Sequence, residues 1–359
     1  MIWSYVEHLV IRLNGSVIER AKTRLLLIVI LGVISLILLF FISISIGAYP
    51  MSFDTAISSF FQLISHGGHP QNVNESIVLN SRLPRTLSVI GVGIGLSVAG
   101  AAMQAIIRNP LVDPYITGVS SGAALGATMA VLAGISLVQL SIYTVPIAAF
   151  IGALLAFAFT MAVSEAAGGK PISFVLSGVM IGLGLSSFTN ILMVMNPNKL
   201  QGVLFWMFGS FAAVTMDQMW LIIFPIIIIV SVILLYAREL NVVLLGEEQA
   251  NQLGLNVRWF KRIIMVLTSV LTGVCVAFTG VIAFLGLIVP HCARMIVGND
   301  HRLLLPASIV IGANVLLVAD IVARTIIMPA ELPIGAIISL IGVPFFAYLL
   351  IRRGKEYGA

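Results

Sequence analysis

Few side chains in this sequence could do chemistry, and they lie in three places. Arg82 and Arg85 stand three apart in "RLPR", and Asp320 and Arg324 stand four apart in "ADIVAR". Four-residue spacing puts a carboxylate and a guanidinium on one helix face, so Asp320 and Arg324 can pair. The third place is "LGEEQANQLG", where Glu247 and Glu248 follow Gly246 and the run closes on Gly254. Acids in a first turn and a glycine at the end fit a short capped helix. Leu255 then begins a second short segment carrying Arg258, Lys261 and Arg262. The stretch 237–262 therefore reads as a helix–turn–helix docking surface for a soluble partner. No catalytic constellation accompanies these groups. The five histidines are scattered, with no HExxH and no CxxC, and "AAGGKP" lacks the GxxxxGK[ST] of a phosphate loop. The chain is thus expected to hold no metal, cofactor or catalytic residue, and ATP, if it is used, must be hydrolysed by another subunit. Cys275 and Cys292 both lie in apolar sequence and read as unpaired packing thiols.

The elements that must position these groups are set by hydropathy. The 359 residues are 60% hydrophobic and 9% charged, against about 25% charged in a soluble domain, and the mean hydropathy is +1.12. Apolar runs of about 20 residues can cross a bilayer, and this chain has roughly ten. The fold class is therefore an all-α, polytopic membrane protein, with 1–359 a single transmembrane domain. Residues 1–22 read as an amphipathic segment on the membrane surface, with no secretory signal, because the next apolar run is too long for one. The spans are read at 24–47, 83–107, 115–134, 142–164, 173–195, 216–236, 263–281, 283–297, 303–325 and 334–351, with a short non-crossing helix at 201–212. Between the second and third spans lies a knot, "RNPLVDP" (108–114), read as a turn whose backbone is satisfied by water. Several spans are rich in Gly, Ser and Ala, which lets helices approach closely or slide.

Ten spans leave both termini on one side. If that side is the cytoplasm, all but four of the 19 Lys and Arg lie inside; the exceptions are Arg82, Arg85, Lys199 and Arg324. The positive-inside bias supports this orientation. The dispersed basic residues give no nucleic-acid signal. No ionisable side chain sits near a span midpoint, where an ion-coupled secondary transporter or a charged-ring channel would need one.

The motifs also carry a resemblance. "RLPRTL", "GAAMQAIIRNPLVDPYITGVSSGAALGA", "LNVVLLGEEQANQLGL", "GVIAFLGLIVPHCAR", "NDHRLLLP", "ADIVART" and "ELPIGAIISLIGVPFFAYLL" occur in this order from about residue 80 to 353. The chain resembles the permease subunits of ATP-binding-cassette importers for iron-siderophores, haem and cobalamin. The resemblance implies a multi-pass protein of the cell (inner) membrane. It further implies a homodimer, with a heterodimer open, two ATPase subunits that hold the ATP and Mg, an extracytoplasmic binding protein, and a metal chelate as substrate. Ferric siderophore is the expected cargo, with cobalamin, haem and molybdate as alternatives. It assigns ATPase coupling to Leu245, Gly246, Glu247, Glu248, Gln249, Ala250 and Gly254, although Gln249 departs from the family's EAA element. It assigns binding-protein docking to Arg82, Arg85 and Arg324, and a cytoplasmic gate to Pro171, Ile172 and Ser173.

Overall fold

The computed structural model describes residues 2–134, 141–328 and 330–357, and the side chains of these except at 2–18, 141, 200, 349–350 and 352–357. Among the described residues the regular structure is helical. In chain order the helices are α1 (Ile2–Ser45), α2 (Phe53–Ser65), α3 (Val73–Ile77), α4 (Leu83–Ile107), α5 (Val119–Ala133), α6 (Ser141–Ala166), α7 (Pro171–Met195) and α8 (Leu200–Met207). They continue with α9 (Met216–Leu235), α10 (Ala237–Leu244), α11 (Glu247–Gln252), α12 (Val257–Thr279), α13 (Leu285–Val297), α14 (His301–Thr325) and α15 (Ile334–Tyr357). Among the described residues, seven helices are long and apolar enough to cross a membrane, and α5, α13 and the 334–348 part of α15 are shorter apolar helices. These correspond one for one to the ten expected spans, and α8 to the expected non-crossing helix.

α4 is the axis of the bundle. Its apolar window is 83% buried, whereas that of α1 is 0% and that of α7 is 22%. α4 packs against α9, α12, α13 and α14, and glycine is what lets it do so. A Cβ on Gly100 would lie 1.8 Å from the Gly286 carbonyl oxygen, and one on Gly93 2.5 Å from that of Gly312. α5 and α6 cross just as closely: a Cβ on Gly122 would lie 2.3 Å from Gly152 O, and one on Gly126 2.1 Å from Ala148 O. The small-residue stripes of α4 and α5 are therefore packing surfaces of the kind that van der Waals contact requires in lipid.

Four expectations change. Residues 2–22 are not a separate surface segment, because α1 is continuous from Ile2 to Ser45. The basic residues after Leu255 do not form a second short segment either: α12 starts at Val257, so Arg258, Lys261 and Arg262 occupy its first turns. An additional helix, α10, precedes the acidic run.

The fourth change concerns the knot. Only its first residue ends α4, Arg108 taking the left-handed conformation at φ 54°. Arg108 and Asn109 stay exposed, while Val112 and Pro114 are buried and protein groups bond the residues around them. Gln104 donates to Val112 O (3.2 Å) and Gly286 O (3.3 Å), Asp113 accepts from the Tyr115 amide (2.9 Å), and Thr160 donates to Thr117 O (2.9 Å). Pro114 packs on Gly286, and the Ile282 amide donates to the Tyr115 hydroxyl (3.3 Å). The irregular stretch before α13 thus meets the irregular stretch before α5. Helices of 15 and 13 residues reach only about 22 and 20 Å, less than the roughly 30 Å of a hydrocarbon core. Irregular backbone completes them, which is tolerated at depth only where protein covers it.

Candidate functional site

The acidic run forms the helix that the sequence pattern predicts. α11 lies between Gly246 at φ 123° and Gly254 at φ 86°, both in the region that favours glycine. Glu247 and Glu248 occupy its first turn, where the helix dipole favours anions. Gln249 folds back over the cap; a Cβ on Gly246 would lie 2.2 Å from its Oε1. This is a local reason for a glutamine where the family element has alanine. Ala250 is fully buried and anchors the helix from beneath.

Charges hold α11 in place. The Glu247 carboxylate accepts from Lys261 on α12 and pairs with Arg108 at 3.5 Å. Lys261 keeps the Glu247 carboxyl below the usual carboxylate range. Arg108, the first residue of the knot, thereby ties the central helix to α11. Asn251 accepts from the Val257 amide (3.4 Å), and Asn256 caps α12 by accepting from the Trp259 amide (3.2 Å). Behind them, Glu165 at the end of α6 accepts from Arg258 (3.0 Å) and Arg262 (2.9 Å). On the other flank, Asn241 of α10 donates to Asp300 (2.7 Å) and accepts from the His301 amide (2.8 Å) at the start of α14. The result is a braced helix with an open outer face. Glu248 and Gln249 are exposed, and Leu245, Leu253 and Trp259 are 61%, 65% and 60% exposed around it. Exposed leucines beside charged residues on a rigid base suit a protein partner.

The opposite end of the bundle uses its arginines differently. Arg82, Arg85 and Arg324 are only 4%, 8% and 4% exposed. Arg82 donates to the carbonyls of Ile44 (2.7 Å), Ser45 (2.9 Å) and Tyr49 (2.6 Å). Arg324 donates to those of Ser43 (3.1 Å) and Ile46 (2.8 Å), and to Ser43 Oγ (2.7 Å). Together they satisfy the orphan carbonyls at the C-terminal end of α1, where cations are favoured. Arg85 binds Asp320 through Nε (3.0 Å) and Nη2 (2.9 Å), and Glu331 through Nη1 (2.8 Å). Asp320 also pairs with Arg324 at 2.8 Å, the i,i+4 contact expected from the spacing. These three guanidinium groups, to which the resemblance assigns docking, are buried and internally bonded, and they clasp α1, α4, α14 and the segment before α15.

The gate candidates sit at the start of α7. Pro171 takes the first helical position, Ile172 is 62% exposed, and Ser173 Oγ donates back to Ala167 O at 3.1 Å. Both cysteines are free thiols. Among the described residues, no group of three or more His, Cys, Asp or Glu could hold a metal.

Comparison with known proteins agrees with this architecture. The FecCD transport family matches residues 11–352. The haemin transport system permease of Yersinia pestis is 36% identical over 350 residues, 96% of this chain and 99% of that protein. The cobalamin import system permease of Halobacterium salinarum is 42% identical over 279 residues, 77% and 74% respectively. Among solved structures, an inward-facing ABC transporter described as metal-chelate type superposes with a TM-score of 0.79 at 30% identity, covering 90% of this chain and 99% of that one.

Proposed function

The chain belongs to the FecCD transport family, and from that premise we propose the assembly and the cargo it serves. It is a multi-pass membrane permease of an ATP-binding-cassette importer. In our reading two copies enclose the translocation pathway, two separate ATPase subunits dock on α11, and an extracytoplasmic binding protein delivers a metal chelate. The relatives named above serve haemin and cobalamin, both large metal-centred chelates. Ferric siderophore is the cargo we propose, with cobalamin, haem and molybdate as the other members of a test panel.

The observation that carries the coupling role is α11 itself, braced through Glu247 and open along Leu245, Glu248 and Leu253. Closure of an ATPase cleft around it would be passed to α12 through Lys261 and to α4 through Arg108. Such coupling requires contacts that differ between two states. The end bearing Arg108 and Glu247 holds most of the Lys and Arg, so we assign it to the cytoplasm of the cell membrane. The start of α7 is then a cytoplasmic gate at Pro171, Ile172 and Ser173. At the outer end, a carboxylate of the binding protein would dock by displacing Glu331 from Arg85, with Arg82 and Arg324 framing the exchange.

The test is co-purification with the neighbouring ATPase, followed by ATP-dependent uptake in proteoliposomes with the binding protein and the chelate panel. A stable complex and uptake of one member support the proposal. Uptake driven by an ion gradient without any ATPase overturns it.

A further inference from the structure

α1 is the least buried of the long helices, and it carries a pattern unrelated to coupling. Arg20, Arg24, Leu27, Leu31, Ile34 and Leu38 follow one another at spacings of four and three, so they share one face. The four aliphatic members are 53%, 63%, 50% and 59% exposed, and Arg20 and Arg24 are exposed as well. The other side of α1 packs on α14, where a Cβ on Gly32 would lie 2.1 Å from Val310 and Asn314 donates to Gly32 O at 3.0 Å. The exposed face is thus a stripe with two cations at its end.

Those cations border a cavity of about 300 Å³, lined by Arg20, Ala21, Arg24 and Arg294 with residues 295–298. Among the described residues its lining contains no acid. Arg24 reaches across it to the Ile296 carbonyl at 3.4 Å, and Arg294 stands at the back, its Nη2 donating to Gln104 at 2.7 Å. Among the described residues neither Arg20 nor Arg24 has a carboxylate partner, and Glu19 is the one acid on these turns. Three guanidinium groups around a small hollow make a seat for a phosphate. Leu27 to Leu38 extends about 16 Å away from it, roughly half the hydrocarbon thickness. A phosphate at the arginines therefore has an aliphatic track of one leaflet's depth beneath it.

We propose that this groove between α1 and the end of α13 is a binding site for an anionic glycerophospholipid. The phosphodiester sits among Arg20, Arg24 and Arg294, and an acyl chain lies along Leu27, Leu31, Ile34 and Leu38. Basic hollows between membrane helices are known to take such headgroups. The site's ligand shares its chemistry with free phosphate, and the aliphatic track favours the lipid.

The test is lipid binding to the purified full-length protein in detergent, read by native mass spectrometry. The probes are phosphatidylglycerol, phosphatidylcholine and inorganic phosphate. Wild type should bind phosphatidylglycerol far more tightly than phosphatidylcholine, and R20Q/R24Q should weaken it by roughly 30-fold. K22Q removes one charge from the same turns outside the cavity lining and should leave binding unchanged. R20K/R24K keeps both charges in an unaltered scaffold and should retain most of it, which separates site loss from misfolding. An equal loss in K22Q, or equal binding of phosphatidylcholine, overturns the site. Displacement by millimolar inorganic phosphate overturns the lipid as its occupant.

Discussion

The two ends of the bundle use the same side chains to opposite purpose. At the end holding Arg82, Arg85 and Arg324, charges are buried, multiply bonded and closed upon one another. At the end holding Arg108, Glu247 and Lys261, the half-exposed Glu247 bridges a partly exposed arginine and a largely covered lysine, and a short helix points outward. A buried pair holds helices together because losing one member strands the other in a poor dielectric. A surface pair contributes little to stability and chiefly sets geometry. One end is a clasp and the other a lever mount.

Breaking the clasp should have the largest effect. D320N leaves Arg85 and Arg324 buried without their shared carboxylate, and a loss of about 3–5 kcal/mol is expected. Thermal unfolding in detergent should show a drop of many degrees or no folded protein; a small shift would place Asp320 with the surface charges. R82Q comes next. It removes three charge-assisted bonds from the end of α1 and the turn after it, and about 2 kcal/mol is expected, read in the same melt and as faster hydrogen exchange at 43–49. At the mount, E247Q should cost at most about 0.5 kcal/mol, with the melt nearly unchanged. Because Lys261 holds the Glu247 carboxyl below its usual range, this contact is fully present above the ordinary carboxylate pKa. It is lost only as pH falls through the lowered value. Exchange protection of 246–254 should therefore stay flat between neutral pH and about pH 5, and E247Q should abolish the acid-side loss. Smallest in stability, and largest in function, is E248A/L253E: no change in melting, but ATP hydrolysis no longer coupled to uptake. A destabilised double variant would show that this face is packed rather than open.

Much of this was legible beforehand, and the physics explains which parts. Spans are written locally, as runs long enough for a bilayer, so α4 begins at Leu83 and ends at Ile107 where hydropathy places it. The capped helix at 246–254 is likewise a short-range signal, as is the Asp320–Arg324 pair. What failed to show depends on distant partners. Arg85 meets Asp320 across 235 positions, and no local pattern says that Arg82 will cap α1. One clue was available: cations on the side where they are disfavoured need an internal reason to be there. The knot misled because prolines and an aspartate look like a surface turn. Gly286 covers its last proline, and Thr160 and Ile282 hold the residues that follow it, all distant in the chain.

The glycine crossings limit how this permease can move. At Gly122–Gly152 and Gly126–Ala148 the backbones touch with no side chain between them to act as a bearing. α5 and α6 therefore travel as one plate, as do α4 and α13 at Gly100–Gly286. A cross-link within either plate should leave transport intact, because nothing slides there. A cross-link between α7 and a neighbour across its largely bare face should arrest it. In the proposed transport cycle, opening and closing belong to the seams between plates.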